Sequence, residues 1–218
     1  MTMRPVALLA ALSFAPAALA GERAAPSAEH PAASAETAER EWSFSAMASW
    51  YVVPHDTDFL MPIVTADRRW LHLEARYNYE ARNTASAWIG YNFTAGEELV
   101  LELTPMFGGV FGDTHGIAPG YKASLSWRRL VLYSEGEYLI DTDDSANSFF
   151  YTWSELTFSP VEIFRFGLVI QRTKAYQTQF EIQRGLLAGI STDRFELTTY
   201  LFNLDGDPLF VLAGAVHF

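Results

Sequence analysis

The sequence predicts an all-β protein, a single transmembrane, antiparallel, up-and-down β-barrel formed by residues 41–218. Three observations predict this fold class. Segments of about ten residues alternate between apolar and polar side chains, which is the period of a strand and not of a helix. Aromatic residues recur at both ends of the apolar face of these segments. Beyond residue 40, no stretch approaches the roughly 18 apolar residues that a membrane helix needs.

We assign twelve strands, with ten as the alternative count, to residues 42–53, 58–65, 69–80, 86–94, 98–108, 119–127, 130–140, 148–158, 164–172, 178–190, 194–203 and 209–218. The second range is the least regular, because Pro62 interrupts it and proline in a ladder is usually an edge or bulge feature. An even number of strands places both chain ends on one side of a closed barrel. Closure also leaves no sheet edge and no unpaired backbone amide in hydrocarbon.

The last strand carries the clearest pattern. One face holds Phe218, Val216, Gly214, Leu212 and Phe210, and the other holds His217, Ala215, Ala213 and Val211. This ending, together with the repeated pattern upstream, resembles the outer-membrane β-barrel proteins of Gram-negative bacteria over residues 41–218. The resemblance implies a bacterial outer-membrane location, contact with outer-membrane lipid and lipopolysaccharide, and recognition of the final strand by the barrel-insertion machinery.

The connections between strands fall into two sets. Tight turns are expected at residues 66–68, 95–97, 128–129, 160–162 and 191–193, and longer loops at 108–120 and 141–147. Because the C-terminus of such a barrel faces the periplasm, the tight set is expected on the periplasmic side and the longer set outside.

Aromatic side chains on the outward face are expected to form two membrane-interface belts. The periplasmic belt consists of Trp42, Phe93, Trp127, Phe158, Phe164, Phe195 and Phe218. The outer belt consists of Trp50, Tyr77, Tyr79, Phe107, Tyr121, Tyr138, Phe150, Phe180 and Phe210. A soluble barrel or sandwich would bury its apolar face and has no reason to place rings at both ends of it, so the pattern favours the membrane barrel.

The opposite face is expected to line the lumen with a charge network of His72, Glu74, Arg76, Glu102, Lys122, Glu135, Glu137, Glu155, Arg165, Glu181, Arg184 and Glu196. Arg184 falls on the outward face by its position. We therefore predict a bulge near Gln183 that turns it inward, because an Arg at the lipid face costs about 2–4 kcal/mol. Bulky inward residues narrow the lumen, namely Tyr51, Trp70, Trp88, Met106, Tyr133, Tyr151, Trp153 and Tyr200.

The N-terminus has a short basic start, an apolar run from Pro5 and an Ala-Leu-Ala site ending at Ala20. This pattern predicts a signal peptide over residues 1–20. Residues 21–40 are rich in Ala, Glu, Pro and Ser and predict a disordered periplasmic leader. The net charge of −11 argues against a nucleic-acid partner, and the absence of Cys excludes disulfides and thiolate chemistry.

Two functional interpretations remain open at this stage. Paired charges could fill the barrel and make it a non-conducting structural or membrane-stabilising protein. A surplus of Glu could instead leave a narrow pore for small, cationic solutes, which we favour because about twelve strands enclose more space than side chains readily fill. A lipid-modifying enzyme is a weaker alternative, since no nucleophile signature accompanies the histidines. We expect no cofactor and no metal site.

A small polar gap interrupts the outward face. Ser134 and Gly136 lie on one predicted strand, and Thr152 and Ser154 lie on its neighbour. Small residues allow close packing in membranes, so the gap is a candidate homo-oligomer contact or lipid groove.

Overall fold

The structure, a computed structural model, describes residues 42–175 and 181–218. The predicted signal peptide, the predicted leader and Phe180 lie outside the described residues, as does the side chain of Glu181. No helix in the described ranges combines the length and the apolar character needed to cross a membrane.

The described chain forms strands throughout. Their bounds are β1 Ser43–Val52, β2 Phe59–Arg68, β3 Leu71–Tyr77, β4 Thr84–Tyr91, β5 Phe93–Ala95, β6 Leu99–Gly112, β7 Gly116–Trp127, β8 Leu130–Asp141, β9 Phe149–Val161, β10 Phe164–Ala175, β11 Glu181–Ser191, β12 Phe195–Phe202 and β13 Leu209–His217. A short 3-10 turn at Ser145–Asn147 lies between β8 and β9.

The strands close into one antiparallel barrel. Each pairs with its neighbours in sequence, and β1 pairs with β13 to complete the ring. Strands β4 and β5 both pair with β6 and are separated at Asn92, so together they occupy one position in the wall. The break coincides with hydrogen bonds from Asn92 to the Trp70 carbonyl and the Asp67 carboxylate. The predicted barrel of twelve strand positions is confirmed.

The exterior is apolar, as the alternation predicts. Leu60, Leu168 and Leu186 are exposed on the outer surface, whereas Met61 and Val169 point inward and are buried. The predicted belt aromatics that the structure describes are exposed, except for Tyr121, which is half-buried, and Tyr79. An exposed apolar band between two sets of rings fits a lipid environment and not water.

The segment expected to be a long outer loop, residues 108–120, is mostly strand. Strand β6 continues to Gly112, and β7 begins at Gly116. The strand ladder continues through the glycines, and one of them makes room for a ring, because a Cβ at Gly108 would lie 2.4 Å from the Trp88 indole. Strand β2 is regular despite Pro62, which pairs opposite Ala48.

Trp70 was expected inside the barrel but lies outside it. The β2–β3 turn falls at Arg69, whose positive φ of 57° reverses the chain one residue before Trp70. The Trp70 ring is therefore exposed and stacks on Tyr91, with ring centroids 5.7 Å apart. Tyr79 departs from its predicted position in the opposite direction. It was expected on the outer surface but is buried inside, because β3 ends at Tyr77 and the chain turns inward at Asn78, where φ is 59°.

Arg184 also lies elsewhere than the sequence predicted. The β10–β11 ladder runs without a shift through Ile170–Arg184 and Gln171–Gln183, so the predicted bulge is absent. The Arg184 side chain is exposed on the outer surface and does not join the lumen network. Its carbonyl accepts a hydrogen bond from Asn203 in the β12–β13 loop, which places it near the outer rim. At that depth a long Arg side chain can reach the headgroup region, so the free-energy cost of placing an Arg in the hydrocarbon does not apply.

Two Arg substitutions on the lipid-facing surface test this assignment of depth. Leu168 lies in the middle of β10, opposite Leu156 and Leu186, whereas Ile182 lies at the outer end of β11. We expect Leu168→Arg to cost about 2–4 kcal/mol of unfolding free energy and Ile182→Arg about 0–1 kcal/mol. Guanidinium unfolding in lipid vesicles, followed by Trp fluorescence, measures both. Equal losses at the two positions would contradict the assigned depth.

Candidate functional site: the barrel interior

The outer part of the interior is filled by aromatic side chains. Tyr51, Tyr79, Phe149, Tyr151, Trp153, Tyr200 and Phe202 are each at most 2% exposed. Trp153 packs edge-on against Tyr200 and Phe202, with ring centroids 5.4 and 5.3 Å apart, and Tyr79 packs edge-on against Tyr151 at 6.0 Å. We call this layer, together with Glu80 and Trp88, the plug. Solvent does not reach its rings.

Arg76 is the charged centre of the plug. Its guanidinium forms ion pairs with Glu74 and with Glu137, where Nη1 donates to Oε2 at 2.9 Å, and it lies 3.9 Å from Glu80. It also lies over two aromatic rings, 3.9 Å from the Tyr79 centroid and 4.4 Å from that of Trp88. A buried charge is tolerated only when it is paired, and here one cation faces three carboxylates.

The network continues from Arg76 toward the periplasmic side through Glu74. Glu74 also pairs with Lys122 and accepts from His72, whose Nε2 is 3.3 Å from Oε2. The other ring nitrogen of His72 lies 2.7 Å from Asp67. Five of the predicted lumen residues therefore form one connected set of contacts: His72, Glu74, Arg76, Lys122 and Glu137. Asp67 also belongs to this set, although it was not predicted from the sequence.

Two predicted lumen carboxylates have aromatic partners instead of basic ones. The hydroxyls of Tyr79 and Tyr133 donate to Glu135 at 2.9 and 2.8 Å. Glu155 accepts from Trp153 Nε1 at 2.9 Å and from the Tyr200 hydroxyl at 3.0 Å. Phenol and indole donors can satisfy a buried carboxylate without adding charge. The large inward rings and the surplus of inward Glu therefore belong to the same hydrogen-bonded structure.

A loop from the outer side contributes Tyr79 and Glu80 to the plug. We call residues 78–83, between β3 and β4, the inserted loop. Its base is closed by hydrogen bonds from the Asn78 amide to Thr84 and from the Asn83 amide to the Asn78 side chain, both at 2.8 Å. Within the lumen, Ser86 donates to Glu80 at 2.6 Å. Glu80 was not among the predicted lumen residues, because it lies beyond the regular alternation of β3.

The interior is open at the barrel end that is expected to face the periplasm. A cavity of about 660 Å³ lies at the barrel end that carries both termini, and we call it the vestibule. Its charged wall residues are Asp67, Arg69, His72, Glu102, Lys122, Asp193, Glu196 and His217. Hydroxyl side chains such as Thr65, Thr104 and Ser124 line the cavity between these charges, together with apolar side chains such as Met47 and Ile63. The interior is thus closed at its outer part and water-accessible from one side.

Two vestibule carboxylates lack close basic partners. Glu102 makes no ion pair or side-chain hydrogen bond within the part of the chain that the structure describes. Glu196 is buried, and its nearest basic atoms are Arg165 Nη2 at 3.7 Å and His217 Nε2 at 3.5 Å. Arg165 itself donates to Thr198 at 2.7 Å. Glu196 is therefore ion-paired with Arg165 and His217 at long distance, and Glu102 is the vestibule carboxylate with no basic partner among the described residues.

The polar gap on the outer surface is satisfied internally. The Ser134 hydroxyl lies 3.1 Å from that of Tyr121 and 3.0 Å from that of Ser154. A Cβ at Gly136 would contact the Tyr121 ring at 2.8 Å, so the ring lies over the glycine. No cluster of three or more His, Asp or Glu side chains suited to a metal ion occurs within residues 42–175 and 181–218.

Comparison with known proteins identifies the fold. No protein-family model matches the chain, and no curated protein matches it. Among solved structures, the chain is similar to a KdgM porin with a TM-score of 0.60 and 9% identity, over 80% of this chain and 99% of that one. It is also similar to a KdgM porin in complex with disordered oligogalacturonate, with a TM-score of 0.53 and 8% identity, over 81% and 99%. The chain has the fold of an outer-membrane β-barrel porin.

A double-mutant cycle tests the coupling in the plug. We expect Arg76→Met to cost about 3–5 kcal/mol of unfolding free energy, because it leaves buried carboxylates without their cation. Adding Glu137→Gln should recover part of that loss, giving an interaction energy above about 0.5 kcal/mol. Arg82→Met, which removes an exposed rim pair with Asp56, serves as the control. Strict additivity of Arg76→Met and Glu137→Gln would show that the two side chains are not coupled.

Proposed function

We propose that the chain forms a channel for small solutes in the bacterial outer membrane and that the described conformation is its closed state. The observation that carries the proposal is the asymmetry of the interior. A polar vestibule enters the barrel from the periplasmic side and ends at a layer of side chains. Within the described residues, no strand or helix crosses the lumen, so the block consists of rings, carboxylates and one short loop.

Barrel size supports this proposal. Eight strands enclose a space that side chains just fill, and twelve enclose more. The extra space is occupied here by large rings and by the inserted loop, whose displacement would leave an open path without breaking the strand ladders. A permanently solid barrel could be built from fewer strands.

We further propose that the channel prefers cations. Glu102 and Glu196 contribute carboxylate charge to the vestibule wall, and rings of carboxylates favour cations in pores. One matched KdgM porin is described in complex with oligogalacturonate, which is an anion. An anionic ligand of that kind does not suit this vestibule, because the Glu102 and Glu196 carboxylates in its wall favour cations.

A non-conducting, membrane-stabilising barrel is the second candidate. The observation that favours it is the completeness of the plug: its aromatic rings are inaccessible to solvent, and Glu135 and Glu155 are each bonded twice. Such an interior could serve only to stabilise the barrel. Conductance separates the two candidates.

A non-enzymatic role accords with the outer surface, where Ser134 bonds to Tyr121 and Ser154 and not to a histidine base. As partners we propose outer-membrane lipid, lipopolysaccharide and, during assembly, the insertion machinery. The exposed Phe218 ring at the end of β13 supports the last of these. The hydrogen bonds within the polar gap reduce the reason for a homo-oligomer contact there, because they satisfy most of its polar groups.

Planar-bilayer recordings test the channel and its selectivity. We expect the protein to give small conductance steps with a cation preference. The double variant Glu102→Gln with Glu196→Gln should shift the reversal potential in a salt gradient toward zero, because it removes two carboxylates from the vestibule wall. The double variant Glu97→Gln with Glu162→Gln, at two exposed turns outside the vestibule, is the charge-matched control and should leave selectivity unchanged. An absence of steps would favour the structural barrel, and an unchanged reversal potential would remove the assigned selectivity residues.

A further inference from the structure

We infer that the inserted loop, residues 78–83, is the gate of this barrel and that Arg76 is the residue that holds it shut. This inference rests on the proposed channel function and assigns its regulation. Tyr79 and Glu80 are 1% and 0% exposed although they belong to a connection and not to a strand.

The loop is the part of the plug that can move at least cost. The other plug side chains belong to strands, for example Tyr51 to β1, Trp153 to β9 and Tyr200 to β12. Moving their backbones would break ladder hydrogen bonds on both sides of each strand. Within the described residues, positions 79–82 of the inserted loop make no backbone–backbone hydrogen bond, whereas its ends are fixed to the rim by bonds from Asp113 to the Asn83 carbonyl and from Asn78 to the Leu60 carbonyl. The middle of the loop can therefore leave the lumen while the barrel wall stays intact.

The ends of the loop are suited to a change of direction. Asn78 and Asn83 both have positive φ, at 59° and 55°, and asparagine tolerates this region better than most residues. The two hydrogen bonds at the base of the loop join Asn78 to Thr84 and to Asn83, so they can persist whichever way the loop points. At the rim, Arg82 donates to the Thr57 carbonyl at 2.6 Å and tethers the loop without entering the lumen.

Inside the lumen, the loop is held by side-chain contacts that converge on Arg76. The same Arg76 nitrogen, Nη1, faces Glu80 of the loop at 3.9 Å and Glu137 of the wall at 2.9 Å. The guanidinium also supports the Tyr79 ring at 3.9 Å. In the other contacts of the loop within the lumen, a neutral hydroxyl donates to a carboxylate: Tyr79 to Glu135 and Ser86 to Glu80.

Charge balance explains why Arg76 holds the inserted loop inside the lumen. Arg76 faces Oε1 of Glu80 and Oε2 of Glu137, and the other oxygen of each carboxylate is buried without a hydrogen-bond partner in the described part of the chain. The guanidinium is therefore the cation that balances both carboxylates. Lys122 does not replace it, because Lys122 pairs with Glu74. Without Arg76, two neighbouring buried carboxylates would repel each other. Glu137 is fixed in β8, whereas Glu80 can reach solvent by outward movement of the loop.

Thiol accessibility reports loop movement without relying on conductance. The chain contains no Cys, so a single introduced thiol is unambiguous. Ser86 is 2% exposed and lies under the loop, where its hydroxyl bonds to Glu80. We would place Ser86→Cys in the parent and in the Arg76→Gln background, treat the barrels in lipid vesicles with a charged methanethiosulfonate, and measure modification by mass spectrometry.

We expect the thiol at position 86 to be protected in the parent and modified in the Arg76→Gln background, together with longer open times for Arg76→Gln in planar bilayers. Thr94→Cys, at the exposed mouth of the vestibule, should react equally in both backgrounds. Retention of the heat-dependent gel shift of a folded barrel shows that exposure is not unfolding. If Arg76→Gln does not fold, Tyr79→Phe replaces it, because this change removes only the hydroxyl that bonds to Glu135, and a smaller gain in reactivity is expected.

Protection at position 86 in the variant background, with conductance present, would overturn the gate and leave the channel intact. Modification in the parent at the rate of Thr94→Cys would overturn it as well. Absence of conductance in every background would instead remove the channel function and with it the gating role, whatever the thiol shows.

Discussion

The interior of this barrel is governed by one requirement: carboxylates removed from water must each find a donor or a cation. Arg76 meets that requirement for Glu74, Glu80 and Glu137 at once, and the rest of the plug is arranged around it. Two rings lie on its faces, and one of them belongs to a loop that enters the lumen. Because a buried charge without a partner is costly, this one side chain determines whether the outer half of the barrel can remain closed.

The same requirement explains why so many inward residues are aromatic with a polar tip. Tyr and Trp fill the width of a twelve-stranded barrel and supply neutral donors to Glu135 and Glu155. Leu or Phe at those positions could fill the space but would leave the carboxylates unsatisfied, and Lys or Arg would need more counter-charge. Packing and hydrogen bonding are therefore met by the same side chains.

The two halves of the lumen differ in the elements that line them. Toward the periplasm, the wall carries small hydroxyl residues with charges between them, and the space stays open to water. Toward the outside, the inserted loop and large rings close it. The proposed channel function rests on this division, since a solute could enter the vestibule and would meet a barrier built of side chains.

The sequence alone determined the barrel, its twelve strand positions and the lipid-facing surface, because strand alternation and belt aromatics are local properties of the chain. It also identified most inward charges. It could not determine their partners: Arg76 and Glu137 are 61 positions apart, and only the register of the closed barrel brings them together. Tyr79 and Arg184 were misplaced for related reasons. The first follows a left-handed residue that ends the alternation, and the second is accommodated by its depth in the membrane, which is a property of the assembled barrel.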